Sequence, residues 1–418
     1  MESESKRCIT IKRILVLLIL SVLFFSEFWN IPKDAVSDYF PPVPSLLKRK
    51  HASTLDNASF NGSRKSPTSN RKIVIILAYM HTGSTYIGSI FQHHKESFYE
   101  FENLRSLMYS TRAGKVIHFL NGTSQRLQPH PDVLNVHHNV HPVVGAEAVK
   151  KMITCNHQDL DLATLANHYF PIRNPVNRHL APFLNCQEKL YGKRTVLYAV
   201  SALKYVDNKM LKNTTRAMEI VRTCLPLLTN RCKQSKIVVE KFIRMTMEMV
   251  KHLFQSFRNL KIIHLFRDPR AMLDSQVRKG DSKAHILSTF KGRAKYMCQQ
   301  MSKDRTVAKE LDIMYPGQIY TLRYEDMVDL PLDTIRKVFN FIDVPFTETD
   351  ELFVKSLSRK KNTADLRKPP PLSAWRKHIT AQSLSVIDEY CSSLYKEFGY
   401  IELKNLTAVK DPWQKDHF

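Results

Sequence analysis

The stretch IVIILAYMHTGSTY, residues Ile73–Tyr86, decides the fold of this chain. Its first six residues are apolar, mostly β-branched and uninterrupted, which is typical of a strand buried on both faces of a parallel sheet. A turn containing Gly83 follows, after which apolar residues recur with helical spacing at Ile87, Ile90 and Phe91. The pattern predicts a strand, a loop and a helix. In that arrangement the loop and the helix N-terminus form a receptor for a phosphate-like anion.

The predicted loop differs from the phosphate-binding loop of nucleoside triphosphatases. That loop requires Gly-x-x-x-x-Gly-Lys-Ser/Thr, whereas Ala78 replaces the first glycine here and Ser84 replaces the lysine. The sequence therefore does not favour an ATP-driven enzyme. The backbone at Gly83 and the hydroxyl groups of Ser84 and Thr85 remain as donors for an anion. An ordinary structural turn is the alternative interpretation.

A strand–helix–strand pattern lies farther along the chain. The strand Ile237–Val239 is followed by an apolar helical face between Met245 and Phe257 and by the strand Ile262–Phe266. This order predicts a βαβ crossover. Its methionines are at helical spacing and are interpreted as core residues.

The tetrapeptide Arg267-Asp268-Pro269-Arg270 follows this last strand. Asp268 suits a helix N-cap and Pro269 suits a first helical turn, so both have structural explanations. Arg267 and Arg270 lie at the carboxyl end of a parallel strand, where open α/β sheets bind ligands, and their guanidinium groups match phosphate geometry. Two solvated surface arginines are the alternative.

The composition is that of a globular protein with a basic surface. The 418 residues are 43% hydrophobic and 24% charged, and 63 Lys and Arg against 39 Asp and Glu leave a formal charge of +24. Most of this excess lies beyond residue 71. A disordered chain, a collagen-like fibre and a small disulfide scaffold are excluded, and the preferred partner is anionic.

The N-terminal region predicts a membrane anchor. Residues 14–25 are apolar apart from Ser21, basic residues precede them, and the stretch 14–31 measures about 27 Å as a helix. No small-x-small cleavage site follows, which favours an uncleaved signal anchor over a cleaved signal peptide. The expected organisation is a cytoplasmic tail (1–13), a transmembrane helix (14–31), a lumenal stem (32–71), a catalytic domain (72–404) and a C-terminal tail (405–418).

Glycosylation sequons and cysteines agree with a lumenal location. The sequons, all beyond the span, are at Asn57, Asn61, Asn121, Asn213 and Asn405. The lumenal cysteines are Cys155, Cys186, Cys224, Cys232, Cys298 and Cys391. An even number is consistent with disulfides in an oxidising compartment, although six cysteines allow 15 connectivities. Nucleic acid is then not available as a partner, and a polyanionic glycan or a phosphorylated nucleotide fits the charge better.

The two loops together resemble those of Golgi carbohydrate sulfotransferases that sulfate the 6-hydroxyl of galactose, N-acetylgalactosamine or N-acetylglucosamine. In that family a loop like Thr82–Thr85 holds the 5′-phosphosulfate of the donor 3′-phosphoadenosine 5′-phosphosulfate (PAPS). An arginine and a serine eight positions later, here Arg267 and Ser275, hold its 3′-phosphate. The likeness continues through Leu322–Asp326, Trp375-Arg376, Cys391 and Gly399-Tyr400, and it is weak between about residues 112 and 233.

The resemblance implies roles for individual residues. His81 stands where the family has arginine, and a histidine is cationic only in mildly acidic conditions such as those of the Golgi lumen. It is expected to help neutralise the sulfonyl and leaving-group charge, and a weakened or lost activity is the alternative. Glu102 aligns with the carboxylate proposed as the base in the family, with Asn103 where proline is usual. An ion-paired or solvated carboxylate is the alternative.

The expected protein is a type II Golgi membrane enzyme with a P-loop-like, three-layer α/β sandwich around a parallel sheet. It transfers sulfonate from PAPS to a hydroxyl, the 6-hydroxyl by resemblance, of a glycan or glycosaminoglycan, without a metal. The expected donor-binding residues are His81, Thr82, Gly83, Ser84, Thr85, Tyr86, Arg267 and Ser275. The expected catalytic residues are Glu102 and His81. Self-association is a further expectation; an inactive PAPS- or glycan-binding relative and a lumenal scaffold are the rival readings.

Overall fold

The computed structural model describes residues 71–112, 116–127, 141–166, 178–191, 208–279, 287–358, 372–403, 405–411 and 417. The strands are β1 (Lys72–Leu77), β2 (Ser97–Phe101), β3 (Val116–His118), β4 (Ser124–Arg126), β5 (Ile237–Phe242), β6 (Leu260–Phe266) and β7 (Ile319–Arg323). The first helices are α1 (Ser84–His93), α2 (Arg105–Arg112), α3 (Pro142–Ile153), α4 (Leu162–Ala166), α5 (Ala181–Tyr191), α6 (Asn208–Gln234) and α7 (Met247–Phe254). The remaining helices are α8 (Pro269–Arg278), α9 (Leu287–Met314), α10 (Tyr324–Asp329), α11 (Pro331–Phe341), α12 (Glu348–Ser358), α13 (Ala381–Phe398) and α14 (Leu406–Lys410).

A parallel sheet forms the centre of the fold. Within the described ranges it has five strands in the order β2-β5-β1-β6-β7, and β3 and β4 form a separate antiparallel hairpin. The central strand β1 pairs with β5 on one side and with β6 on the other. Because all the paired strands run in one direction, their carboxyl ends share one edge of the sheet, here called the carboxyl edge. The opposite edge is called the amino edge.

The sheet is buried on both faces, as the uninterrupted apolar run of β1 predicts. Ile73, Ile75 and Leu77 belong to one apolar cluster, and Val74 and Ile76 belong to a second cluster. Since successive side chains of a strand point to opposite faces, the two clusters lie on opposite sides of the sheet.

Helices cover each face of the sheet. Apolar residues of α3, α6, α7, α9 and α13 belong to the first cluster, and those of α1, α11 and α12 belong to the second. The result is a helix–sheet–helix sandwich, which confirms the predicted α/β class with a central parallel sheet. The predicted crossover is also present, but β1 lies between its two strands. Met249 of α7 is fully buried, as expected of a core residue.

Disulfides link the described cysteines of the first cluster and its surroundings. They join Cys155 to Cys232, Cys186 to Cys224 and Cys298 to Cys391. The expectation of disulfides is confirmed, and the structure selects one of the connectivities that the sequence left open. Each bridge closes a long loop, because the paired cysteines are 77, 38 and 93 positions apart.

The predicted signal anchor (14–31) and nearly all of the predicted stem lie outside the described residues. Among the helices that are described, none is both long enough and apolar enough to cross a bilayer. The sequons at Asn57 and Asn61 also fall outside the described part, whereas Asn121 and Asn405 are exposed on its surface.

Candidate active site

The loop after β1 lies at the carboxyl edge and depends on Gly83. This residue has a φ of 81° and directly precedes α1. A Cβ atom at this position would lie 2.3 Å from Cδ2 of Tyr324, so the ring occupies the space that a side chain would need. The N-cap of α1 is Gly83, which has no side chain to bond the first N–H groups of the helix, and the helix begins at Ser84. The first N–H groups of the helix and its dipole are therefore available to an anion at this edge.

Thr82 builds the turn from within. It is fully buried, and both its N–H (3.2 Å) and its hydroxyl (2.8 Å) donate to the carbonyl oxygen of Tyr79. The hydroxyl of Tyr79 in turn contacts Nε2 of His264 at 2.8 Å and donates to Oδ2 of Asp304 at 3.0 Å. Burial raises the pKa of Asp304 to about 6. These contacts attach the turn to the core, so the Thr82 hydroxyl contributes to loop geometry.

The other predicted loop residues occupy the first turn of α1. Ser84 is buried and Thr85 is half-buried. Tyr86 packs in the second apolar cluster with 2% of its surface exposed, and its N–H donates to the carbonyl oxygen of Gly83 at 2.9 Å. The Tyr86 side chain thus belongs to the core beneath the loop.

The second predicted loop meets the first one. Nη1 of Arg267 donates to the carbonyl oxygen of His81 at 2.9 Å, and Oγ of Ser275 lies 3.1 Å from Nδ1 of the same histidine. Nε2 of Gln276 also reaches the carbonyl oxygen of Met80, at 3.4 Å. His81 itself has a φ of 68°, an uncommon conformation for a residue other than glycine. The structure therefore brings His81, Arg267 and Ser275 together at one point of the carboxyl edge.

Arg267 is held between this loop and an aromatic ring. Only 5% of its surface is exposed, and its guanidinium carbon lies 4.3 Å from the centre of the Tyr324 ring. Its buried Nε has no hydrogen-bond partner among the described residues. A buried donor without a partner is uncommon in folded proteins, and an anionic ligand would satisfy it.

Arg270 does not share this position, so the sequence prediction of a second ligand-binding arginine is wrong. Its side chain is fully buried, and Nε and Nη2 donate to both oxygens of Asp268 at 2.7–3.1 Å. Nη1 donates to the carbonyl oxygen of Ile401 at 3.0 Å, and the guanidinium lies near the rings of Trp375 and Tyr395. These contacts occupy the guanidinium N–H groups that would otherwise be able to bind a phosphate. Arg270 therefore joins α8 to the C-terminal part of the chain.

Glu325 fixes the start of α8, next to Arg267. Its Oε1 accepts from the N–H of Asp268 at 3.1 Å, and its Oε2 accepts from the hydroxyl of Tyr400 at 3.0 Å. Burial, and then the nearby Asp268, raise the pKa of Glu325 to about 7. Asp268 also accepts from the N–H of Arg270, which confirms its predicted N-cap role. Glu325 and Tyr400 both belong to segments that carry the family resemblance, and their hydrogen bonds support the loop that contains Arg267.

Glu102 lies at the same carboxyl edge, directly after β2, and it is ion-paired. Its carboxylate accepts from Nζ of Lys241 and, at 2.6 Å, from Nη1 of Arg244. Burial raises the pKa of the Glu102 carboxyl, but the two cations outweigh this effect and hold it below its usual value. The ion-paired alternative from the sequence is therefore what the structure contains. A low pKa and two bound cations both make the carboxylate a weaker proton acceptor.

Several residues of this edge were missed by the sequence reasoning. They are Lys241, Arg244 and Tyr324. Lys241 could have been found, because two charged residues, Glu240 and Lys241, follow the apolar start of β5 near the strand end where such sheets bind ligands. No local signal marks Tyr324 as the ring that packs against Gly83.

Metal ligands were not expected from the sequence, although it contains a His-His-x-x-His stretch. His141 directly precedes α3, whereas His137 and His138 lie outside the described residues. In the part of the chain that the structure describes, no three His, Cys, Asp or Glu side chains are grouped as they would be around a metal ion.

Comparisons with known proteins extend over most of the chain. A family model described as "Sulfotransferase family" matches residues 74–348. Carbohydrate sulfotransferase 3 of Tetronarce californica is 23% identical over 88% of this chain and 81% of that protein. Carbohydrate sulfotransferase 1 of Danio rerio is 22% identical over 84% of this chain and 82% of that protein. Among solved structures, a retinol dehydratase in complex with retinol and PAP aligns with 78% of this chain and 82% of its own, with 12% identity and a TM-score of 0.38.

Proposed function

This chain belongs to the sulfotransferase family, and we propose that it transfers a sulfonate group from PAPS to a hydroxyl group of a carbohydrate. Two similar proteins are carbohydrate sulfotransferases, and the similarity covers more than four fifths of both chains, which supports a carbohydrate as the acceptor. The observation that carries the proposal is the contact of Arg267 and Ser275 with His81. This contact brings the loop after β1 next to the segment that begins at Arg267, and these are the two segments that would hold the two ends of one nucleotide.

The donor would bind along the carboxyl edge. The N–H groups at the start of α1, with the hydroxyls of Ser84 and Thr85, are assigned to the 5′-phosphosulfate. Arg267 and Ser275 are assigned to the 3′-phosphate. Gly83 lets the backbone and the Tyr324 ring approach each other, which keeps the loop narrow. Because no covalent intermediate is needed, the contribution of the protein is to align the acceptor oxygen, sulfur and leaving oxygen and to face the leaving phosphate with positive charge.

His81 is assigned the role of stabilising charge on the sulfonyl group and the leaving phosphate. The contact with Ser275 orients the ring at Nδ1. The N-terminus of α1 and Arg267, which contacts the carbonyl oxygen of His81, would share this role.

Glu102 remains the predicted base, but its contacts favour a positioning role. The side chains of Glu102, Lys241 and Arg244 are 4%, 2% and 6% exposed, respectively. A carboxylate between two buried cations holds both of them at the carboxyl edge, where positive charge would face the sulfonate. The two roles make different predictions for the stability and activity of the variant Glu102→Gln.

The finer assignments rest on the sequence. The 6-hydroxyl of a hexose or N-acetylhexosamine is proposed from the resemblance of the two loops. A single-pass type II protein of the Golgi membrane is proposed from the apolar stretch 14–31 and the sequons beyond it. The disulfides suit an oxidising lumen.

The test combines transfer and donor binding. The purified protein is incubated with sulfur-labelled PAPS and with desulfated chondroitin, desulfated keratan and free N-acetylhexosamines as acceptors. In a separate experiment, calorimetry measures the binding of PAP, the nucleotide that remains when PAPS has lost its sulfonate group. Label on an acceptor is expected, and it should be lost in Arg267→Ala. An exposed arginine of α11, in the variant Arg336→Ala, is the control. PAP binding without transfer would support the inactive relative, and neither binding nor transfer would support the scaffold.

A further inference from the structure

A cavity of about 520 Å³ lies at the amino edge of the sheet, whereas the candidate active site lies at the carboxyl edge. Its walls come from the end of α1, the start of α5 and the end of α6. These segments surround the first residues of β2 and β5 and therefore lie at the amino edge. The five residues of β2 (Ser97–Phe101) separate the cavity from Glu102 by about 17 Å, at ~3.3 Å per residue. The volume is within the range of ligand pockets, roughly 300–1,000 Å³.

The cavity is basic. Its charged lining residues are Lys95, Arg178 and Arg231, and the histidines His93, His94 and His179 also line it. No aspartate or glutamate is among the described residues of the lining. Two carboxylates lie just behind the lining and are already paired: Asp350 accepts from His94, itself a lining residue, and from Thr347, and Glu96 pairs with Lys236. An anion would therefore meet positive charge without a competing carboxylate in the wall.

Two of the lining side chains are buried and have polar atoms without partners. Gln92 and His94 are 6% and 4% exposed. Nε2 of Gln92 and Nε2 of His94 have no hydrogen-bond partner among the described residues. A buried amide N–H without an acceptor is costly, and it is explained if a ligand supplies the acceptor.

The walls of the cavity are held in place by the protein itself. Nη2 of Arg231 donates to the carbonyl oxygen of Ser97 at 3.1 Å, and Nδ1 of His179 accepts from the N–H of Tyr99 at 3.0 Å. Burial, together with the positive charges of Arg231 and Arg178, lowers the pKa of His179 to about 4. His179 is therefore an uncharged lining residue that is held in a fixed orientation, and the arginines supply the positive charge of the cavity.

We propose that this cavity binds a sulfated sugar unit of an anionic glycan, remote from the place of transfer. A sulfate monoester provides the acceptor oxygens that Gln92 Nε2 lacks and the negative charge that Arg178, Arg231 and Lys95 would face. The proposal rests on the proposed function, since it takes the ligand to be a chain that also reaches the carboxyl edge. A glycan that already carries sulfate groups would then be retained while another of its units reacts.

The first test measures binding to PAP-saturated protein, so that the donor site is filled. The ligands are a sulfated chondroitin hexasaccharide and its desulfated counterpart, titrated by calorimetry. We expect the sulfated form to bind more tightly, and we expect Arg178→Ser combined with Lys95→Ser to weaken its affinity by about ten-fold. The exposed lysine of α11, in Lys337→Ser, is the matched control and should bind like the wild type. Equal affinity of the sulfated and desulfated forms, or unchanged affinity in the double variant, would overturn the proposal.

A second variant separates ligand binding from structural support. Gln92→Met removes the amide that has no partner, so it is expected to leave the melting temperature unchanged or higher while reducing affinity for the sulfated hexasaccharide on the order of ten-fold. A lower melting temperature with unchanged affinity would show that the amide serves the fold and would refute the assignment.

The failure of the proposed function can be told apart from the failure of this site. Transfer to a free N-acetylhexosamine is measured alongside, because so small an acceptor cannot reach from one edge of the sheet to the other. If transfer to the N-acetylhexosamine is retained but binding of the hexasaccharide does not depend on sulfate, only the cavity proposal is rejected. Absence of transfer to every acceptor rejects the proposed function, and with it the assignment of the cavity to an enzyme's glycan.

Discussion

Replacing Glu102 by glutamine tests whether this carboxylate is a base or the centre of an ion-paired cluster. The substitution keeps the size of the side chain and removes its charge. In the wild type the carboxylate accepts from Lys241 and Arg244, and all three side chains are at most 6% exposed. The variant leaves two buried cations without a counter-charge at the carboxyl edge.

The size of the effect follows from this burial. Removing one partner of a buried ion pair costs about 3–5 kcal/mol, whereas an exposed pair would cost under ~1 kcal/mol. We therefore expect Glu102→Gln to lower the free energy of unfolding by about 3–5 kcal/mol. If the carboxylate only served as a base, transfer would fall by about 10²–10⁴-fold with little change in stability.

The pH dependence gives an independent check. The folded-state pKa of Glu102 is lowered, so its contribution to stability is complete above the pKa of an unperturbed glutamate and is lost as the pH falls through the lower, folded-state value. The stability difference between wild type and Glu102→Gln should be constant from neutral pH down to about 5. It should shrink on further acidification, because the wild-type carboxylate becomes protonated.

Urea unfolding at a series of pH values measures the stability difference, and transfer of labelled sulfonate measures activity. Glu310→Gln, on an exposed position of α9, is the control and should change stability by less than about 0.5 kcal/mol. Combining Glu102→Gln with Lys241→Met should recover part of the lost stability, because the uncompensated cation is removed. A stability change below about 1 kcal/mol, together with a loss of transfer greater than ~100-fold, would refute the ion-pair reasoning and favour the base.

Three further substitutions test the rest of the fold and site. Gly83→Ala should lower the free energy of unfolding by about 1–2 kcal/mol because of the left-handed backbone, and further because the new Cβ would overlap the neighbouring tyrosine ring. The control is Gly317→Ala, since Gly317 has a φ of 71° and open space around it, and it should show the backbone cost alone in the same thermal unfolding assay. Arg267→Lys keeps the positive charge but removes the paired N–H donors of the guanidinium group, so calorimetry should show that the affinity for PAP falls by about ten-fold or more. Unchanged affinity would contradict the role of Arg267 in binding phosphate. Cys298→Ser opens the bridge to Cys391, which spans 93 positions, and should lower the free energy of unfolding by about 2–5 kcal/mol in chemical denaturation; a smaller loss would mean that the bridge contributes little.

Three of the strands, β1, β5 and β6, and the loop after β1 could be predicted from the sequence because their determinants are local. The apolar run that begins at Ile73 is short and rich in β-branched residues, which favours a strand buried on both faces of a sheet, and the glycine that follows marks the turn. The N-cap role of Asp268 was also predictable, since a cap depends on residues within one helical turn.

The roles of neighbouring charged residues were not predictable in the same way. Arg267 and Arg270 are chemically identical and three positions apart, yet one contacts the His81 loop and the other is buried against Asp268. Which arginine faces the edge depends on how the following helix is oriented against the C-terminal segment around Ile401. The same holds for Glu102, whose two cations come from the end of another strand.

By itself, the sequence determined the α/β class, the strand–loop–helix unit and the residues that would gather at the ends of strands. The tertiary structure alone decided the disulfide pairing, the burial of Arg270 and the pairing of Glu102. The reason is physical: the Arg267–His81 contact spans 186 positions and the Glu102–Lys241 contact spans 139, so neither depends on local conformational preference. Such contacts form only when the order of the strands brings distant chain ends to one edge of the sheet.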